Sequence, residues 1–185
     1  MRRRMMMETT SAQDWDVVWD YTMGLPEDNG FEKAIDANNQ IEMTGDGLHI
    51  VPAGGYVRYV PIGFETCNEG IYEETITYYA FSNTNGNRMI LSDGTSGLHI
   101  YVVGTQIKFN NGMDNSQLTI ASGIELQKEY VIRIERINGI NKIYLDEEEV
   151  YETKVVSGSF ATGNRIFFQY GGEYLLKSIK FKKIS

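Results

Sequence analysis

The chain has 185 residues, of which 42% are hydrophobic, and its 17 Lys and Arg against 25 Asp and Glu give a net charge of −8. This composition predicts one globular domain with a full core and excludes a disordered tail. The lone Cys67 excludes an internal disulfide, and two histidines are too few for a Cys/His zinc site. The acidic balance argues against a nucleic-acid partner, and no apolar run approaches the ~18 residues of a membrane span.

The beginning of the chain is predicted to be a flexible arm, residues 1–14, ahead of a single domain over residues 15–185. Three arginines at positions 2–4 resemble the start of a signal peptide, but only three methionines follow them before Glu8. A signal peptide needs an apolar region of about seven residues or more. We therefore expect no signal peptide, and an arm that is either flexible or ordered by a partner.

From Trp15 onward, short runs rich in Ile, Val, Tyr, Phe and Thr alternate with clusters of Gly, Asn and Asp, which is typical of β-strands joined by tight turns. A short helix is predicted only over residues 31–38. Because there are no crossover helices, the strands must pair antiparallel, as a sandwich or a barrel. Strands are predicted over residues 15–22, 47–52, 56–61, 71–81, 88–92, 98–103, 106–110, 117–120, 130–137, 142–145, 150–153, 165–170 and 174–181.

Alternation along the strands predicts which side chains face the core, because successive residues of a strand point to opposite sides. In the long strand, Glu74 shares a face with Tyr72 and Ile76, so we expect a bulge or a partly solvated sheet there. The inward sets are Leu48 and Ile50; Leu98, Ile100 and Val102; and Tyr130, Ile132 and Ile134. The outward sets are His49; His99 and Tyr101; and Arg133 and Glu135.

The later strands resemble a known superfamily. A strand of alternating apolar and charged residues, 129–136, precedes the Asn-Gly turn at 138–139 and the run Ile143-Tyr144-Leu145-Asp146, and two further strands close the chain. This order is similar to that of concanavalin A-like lectin/glucanase domains, including laminin-G-like ones, over about residues 15–184. The resemblance implies an all-β, two-sheet antiparallel jelly-roll sandwich with one concave sheet and adjacent first and last strands. Glu147 stands where a Gly commonly follows the Asp, so we expect a wider or different turn.

A second resemblance concerns the arginine- and methionine-rich start that runs directly into this sandwich. It is similar to structural and appendage proteins of bacteriophages and prophages of gut bacteria. The resemblance implies a virion protein that binds glycans or a host surface, or that binds other virion proteins through residues 1–14. The resemblance is also compatible with a homo-oligomer. The implied localisation is the virion, and the alternatives are extracellular or cytoplasmic.

Catalysis is not expected, although the glucanases of this superfamily carry carboxylates that alternate along one strand, where they share a face as nucleophile and general acid. Glu73 and Glu74 are consecutive and so point to opposite faces, and Cys67 has no neighbouring positive charge to activate its thiol. The acidic run 146–149 is expected at a solvated hairpin tip, with a loose Ca²⁺ site as the minor alternative. We therefore expect no cofactor, and we place a glycoside hydrolase behind a bacterial carbohydrate-binding module as alternative functions.

Glycan binding is expected because the chain has 12 Tyr, 8 Phe and 2 Trp, and a tyrosine offers both an apolar face to a sugar ring and a hydroxyl to its hydroxyl groups. Asn, Asp and Arg side chains can fix the sugar hydroxyls in paired hydrogen bonds. For each candidate an ordinary surface role is the alternative. The candidates project from the outward set or from neighbouring loops: Thr77, Tyr79, Asn85, Asn87, Asp93, His99, Tyr101, Arg133 and Glu135.

Overall fold

The protein was analysed as a computed structural model, which describes residues 14–35, 40–52, 55–64, 67–82, 86–92, 97–110, 118–154, 163–169 and 171–185. These residues form fifteen strands and two single-turn 3₁₀ helices, Tyr21–Met23 and Pro26–Asp28. The strands are β1 (Val17–Asp20), β2 (Phe31–Ile35), β3 (Gln40–Thr44), β4 (Gly47–Val51), β5 (Tyr56–Pro61), β6 (Gly70–Ala80), β7 (Asn87–Ser92), β8 (Gly97–Val103), β9 (Gln106–Asn110), β10 (Leu118–Ser122), β11 (Glu129–Ile137), β12 (Ile140–Leu145), β13 (Glu148–Lys154), β14 (Arg165–Gln169) and β15 (Glu173–Lys183). Across the described ranges, no helix has the length and apolar character needed to cross a membrane.

The strands form two antiparallel sheets packed face to face, so the predicted fold class is confirmed. The eight-stranded sheet has the order β13-β12-β11-β6-β15-β4-β3, with β1 also paired to β15. The seven-stranded sheet has the order β10-β9-β8-β7-β14-β5-β2. The pairing of β1 with β15 places the first and last strands side by side, as the superfamily resemblance implied. The domain is a concanavalin A-like jelly-roll sandwich.

The core lies between the two sheets and is dominated by large aromatic side chains. Trp19, Tyr72 and Phe181 are fully buried, and the rings of the last two have centroids 6.0 Å apart. Phe168 of the seven-stranded sheet meets Tyr174 of the eight-stranded sheet at 5.2 Å between centroids, so aromatic contacts join the sheets. The inward sets predicted from alternation are all buried in this core.

The predicted helix over residues 31–38 is wrong. Phe31–Ile35 is the edge strand β2, paired in antiparallel register with β5, and residues 36–39 lie outside the described residues. Glu32, Lys33 and Ala34 favour a helix locally, but β5 offers the backbone a ladder of hydrogen bonds and the core buries Phe31. Strand β3 was also missed by the sequence analysis; it pairs with β4 through the turn at 45–46.

The hairpin between β12 and β13 turns tightly, not widely. Its two turn residues, Asp146 and Glu147, have φ of 50° and 70°, which is left-handed backbone. Asp146 holds the turn against β11, because its N–H donates to the Val131 carbonyl at 2.8 Å and its carboxylate accepts from the Val131 N–H at 2.9 Å. Glu147 must therefore adopt a conformation that favours glycine.

We expect Glu147→Gly to raise the free energy of unfolding by about 0.5–1 kcal/mol, because glycine adopts left-handed backbone without the steric cost that Glu147 bears. Chemical denaturation would measure the change. Glu148→Gly is the matched control: it removes the same charge one residue later, in β13, and should lower stability. Equal losses in the two variants would contradict this account of the turn.

Candidate functional site

The predicted site residues do not come together, because they divide between the two outer faces of the sandwich. Each outer face is the side of a sheet turned away from the core. Asn85 and Asp93 lie outside the described residues. The eight-stranded sheet carries Thr77, Tyr79, Arg133 and Glu135 on its outer face, and the seven-stranded sheet carries His99 and Tyr101 on its own.

Asn87 was predicted in a surface loop and instead begins β7, with its side chain in the core at 1% exposure. Its amide donates to Glu74 Oε2 at 3.3 Å, and its carbonyl oxygen accepts from the Tyr78 hydroxyl at 3.5 Å. A buried carboxyl group needs such a donor, because burial without a hydrogen bond costs free energy. Asn87 is therefore a partner of an interior acid and not a surface ligand-binding residue.

Glu74 explains the irregular pattern of the long strand. The register of β6 against β11 is continuous, so β6 has no bulge there, and Glu74 is fully buried between the sheets. The register shifts lie instead in the pairing of β15 with β6. Burial raises the pKa of Glu74 to about 8, and the hydrogen bond from Asn87 partly offsets that rise. The expectation of a partly solvated face was wrong.

Arg133 and Glu135 bind each other and Tyr144 on the outer face of the eight-stranded sheet. Arg133 Nε lies 3.3 Å from Glu135 Oε1, and its guanidinium carbon lies 4.2 Å from the centre of the Tyr144 ring. The Tyr144 hydroxyl donates to Glu135 at 3.2 Å. These three side chains bind one another across neighbouring strands. The polar groups of Arg133 and Glu135, which were predicted to contact a sugar, are therefore already paired.

The outer face of the seven-stranded sheet has a different character. Its outward residues on strands β5, β8, β9 and β14 are named the polar face here: Tyr56, Arg58, His99, Tyr101, Asn110 and Arg165. His99 pairs with Asn110 across β8 and β9, and Ile90 of β7 lies between His99 and Arg165 in the register. The Arg58 guanidinium carbon lies 5.9 Å from the Tyr56 ring centre. Every member makes further polar or ring contacts.

Three members of the polar face are buried although they point away from the core. His99 and Tyr101 are 3% exposed and Asn110 is 6% exposed. Polar side chains are rarely buried outside a core unless they hold a defined arrangement, because desolvating them costs free energy. Aromatic, amide and guanidinium groups thus form an ordered floor on this face, of the kind that lines recognition sites.

Strand alternation indicated His99 and Tyr101 as candidates but not the other members of the polar face. The signal was present in strand 56–61, where Tyr56 and Arg58 alternate with the core residues Val57 and Tyr59. Nothing in the sequence places that strand beside β14, whose pairing with β5 brings Arg165 onto the same face.

The histidines and the cysteine lie far apart in the described part of the chain. His49 and His99 lie on different sheets, so they cannot act together, and Cys67 is buried, with its sulfur accepting from the Asn164 amide at 3.3 Å. Within the part of the chain that the structure describes, no three His, Cys, Asp or Glu side chains are grouped as metal ligands would be.

Comparisons with known proteins find no matching family model and no matching curated protein. Solved structures share the fold. The carbohydrate binding module CBM66 from Bacillus subtilis aligns with a TM-score of 0.59 and 17% identity, over 83% of this chain and 96% of that one. An apo Crh5 transglycosylase aligns with a TM-score of 0.71 and 10% identity, over 91% of this chain and 84% of that one.

A third similar structure carries the description "Prominent members of the human gut microbiota express endo-acting O-glycanases to initiate mucin breakdown". It aligns with a TM-score of 0.66 and 11% identity, over 93% of this chain and all of that one. At these identities the likeness concerns the fold. Together with the strand order, it defines the chain as a jelly-roll sandwich of the concanavalin A-like type.

Protonation of Glu74 should make stability depend on pH. Between pH 4.5, its ordinary pKa, and about 8, the folded chain holds a proton that the unfolded chain has lost. The free energy of unfolding should therefore fall as pH rises through this window, by about 1.4 kcal/mol per unit, and level off above it. Urea denaturation from pH 4 to 9 would measure the fall, and Glu74→Gln should remove most of it.

The control for Glu74 is Glu73→Gln, which alters the adjacent carboxyl on the outer face, where it is paired with Lys180 at 2.7 Å. In this variant the free energy of unfolding should still fall as pH rises from 4.5 to about 8. Parallel pH profiles for the wild type and Glu74→Gln would show that Glu74 is not the group responsible.

Proposed function

We propose that this chain binds carbohydrate without catalysis and that the polar face of the seven-stranded sheet is the binding surface. The observation that carries the proposal is the burial of His99, Tyr101 and Asn110 on the side of the sheet away from the core. An ordinary solvated face would carry exposed charged side chains there, and a purely structural face would be apolar.

The chemistry of the polar face suits a sugar. A tyrosine ring packs against the C–H face of a pyranose, while guanidinium and amide groups donate or accept paired hydrogen bonds with vicinal hydroxyls. Tyr56, Arg58 and Arg165 are half-buried, so these members of the polar face have surface available to contact a sugar. Buried His99 and Asn110 support the face from the neighbouring strands β8 and β9.

The carboxylates argue for binding over hydrolysis. Glycoside hydrolysis uses two carboxyl groups about 5–9.5 Å apart on either side of the scissile bond. Among the described residues on the outer face of the seven-stranded sheet, one carboxylate occurs, Glu32 on the edge strand β2. The similar solved structures include a carbohydrate binding module and also a transglycosylase, so the hydrolase or transglycosylase function remains the alternative. Release of reducing ends from a bound polysaccharide would favour that alternative.

Binding to a glycan array, followed by titration of the best ligand, would test the polar face. Tyr56→Ala should weaken binding about tenfold or more, because it removes an aromatic surface and the ring beside Arg58. Tyr101→Phe, which preserves the buried volume, should weaken it by a smaller factor. Tyr144→Ala on the other sheet is the control and should bind as the wild type does. A loss in Tyr144→Ala without one in Tyr56→Ala would contradict the assignment.

A role in a phage or prophage virion is the finer form of this proposal, and the support for it is the resemblance of residues 1–14 and the sandwich to appendage proteins. It predicts an assembly that depends on the arm. Light scattering of the full chain and of a chain that begins at Gln13 would compare particle masses. An oligomer lost on truncation would support the virion role, whereas a monomer in both cases would favour a free carbohydrate-binding module.

A further inference from the structure

A second pocket lies on the outer face of the eight-stranded sheet, across the core from the polar face. We call it the His49 pocket. Its volume is about 250 Å³, and the residues that line it are Thr44, Asp46, His49, Tyr79, Glu173 and Leu175. Tyr79 is 40% exposed, which is unusual for a large aromatic side chain, and the almost fully buried Leu175 forms the floor.

Backbone geometry brings the pocket walls together. The β3–β4 hairpin packs against β15 at Gly47, where a Cβ atom would lie 2.9 Å from the Leu176 carbonyl oxygen and 3.0 Å from the Leu175 side chain. Gly47 also has φ of 153°, which a residue with a side chain rarely adopts. The glycine thus lets the turn that carries Asp46 approach the strand that carries Glu173.

The side chains of the pocket hold one another in place. His49 Nε2 lies 2.8 Å from Glu173 Oε1, and the His49 and Tyr79 rings meet edge to face with centroids 6.4 Å apart. The Thr44 hydroxyl donates to the Gly47 carbonyl at 2.8 Å and accepts from the Asp46 N–H at 3.3 Å, which orders the turn. The pocket is therefore preorganised, which lowers the entropic cost of binding.

The charge of the pocket is negative. Asp46 and Glu173 contribute two carboxylates, and the described residues that line the pocket include no Lys or Arg. Glu42 pairs with His49 across β3 and β4 and adds a third carboxylate to this face of the sheet. Lys177, a cation of the same sheet face, is bound to Glu129 at 2.6 Å and also interacts electrostatically with Asp46. Carboxylates accept hydrogen bonds from hydroxyl and ammonium groups but repel an anionic ligand.

We propose that the His49 pocket is a second sugar-binding site, selective for a single neutral or amino-bearing sugar unit over an acidic one. The Tyr79 ring packs against the apolar side of the sugar ring, and the carboxylates of Glu173 and Asp46 accept from its hydroxyl or ammonium groups. The pocket lies on the opposite side of the core from the polar face. The two sites can therefore be occupied at the same time by separate sugar ligands.

Three sugars with the same pyranose ring test the selectivity: glucose is neutral, glucosamine carries an ammonium group at C2, and glucuronate carries a carboxylate at C6. Titrations followed by NMR shifts of the Leu175 methyl groups and the His49 ring should give millimolar dissociation constants for glucosamine and glucose. Glucosamine should bind tightest, and glucuronate should bind at least about tenfold more weakly than glucose. Tyr79→Ala and Glu173→Gln should each weaken glucosamine binding about tenfold.

The controls separate the pocket from general charge attraction and from the proposed polar face. Tyr144→Ala and Glu149→Gln alter the same kinds of residue on the same sheet outside the pocket and should bind glucosamine as the wild type does. Arg58→Ala, on the polar face, should leave these shifts unchanged whether or not that face binds a glycan. Equal binding of glucuronate and glucose, equal losses in Glu149→Gln and Glu173→Gln, or the absence of pocket shifts with all three sugars would each overturn the proposal.

Discussion

The pairing of β6 with β15 is the constraint on which the rest of the structure depends. These are the longest strands, with eleven residues each, and they lie at the centre of the eight-stranded sheet. Because eight strands lie between β6 and β15 in the chain, this ladder forms only when β15 returns to the middle of the sheet, where it also pairs with β1 and β4. The same ladder buries Phe181 against Tyr72 and places Leu175 and Glu173 in the His49 pocket.

Glu74 is a charged residue type that the central strand β6 places in a mainly apolar and aromatic interior. Its neighbours on the same face of β6, Tyr72 and Tyr78, are fully packed, so the carboxyl group has no route to solvent. Burial and the nearby Glu74 carboxyl group raise the pKa of each tyrosine hydroxyl well above the usual range of a tyrosine. The contacts of Asn87 of β7 with Glu74 and with the Tyr78 hydroxyl form a polar link between the two sheets, in an interface dominated by apolar and aromatic packing.

The two outer faces carry different chemistry because they neutralise their polar groups in different ways. On the eight-stranded sheet, cross-strand neighbours bind in opposite-charge pairs, such as Lys180 with Glu73 and Lys142 with Glu149, and such exposed pairs contribute little to stability. On the seven-stranded sheet, buried His99, Tyr101 and Asn110 hold an ordered polar arrangement instead. The first face carries a preorganised pocket beside Tyr79, and the second carries the polar face that is proposed to bind a glycan.

Strand alternation was sufficient to predict the core sets and the outward orientation of His99, Tyr101, Arg133 and Glu135, because which side a residue faces depends only on its position within its own strand. The strand and turn pattern predicted an antiparallel sandwich or barrel, and the superfamily resemblance selected the jelly-roll sandwich. The helix over residues 31–38 failed because local propensity is weaker than the pairing that β5 offers. Which strands become neighbours depends on long-range packing. Only the tertiary structure therefore separated Tyr79 from Tyr101 onto opposite sides of the core, turned Asn87 toward Glu74 and brought His49 to Glu173.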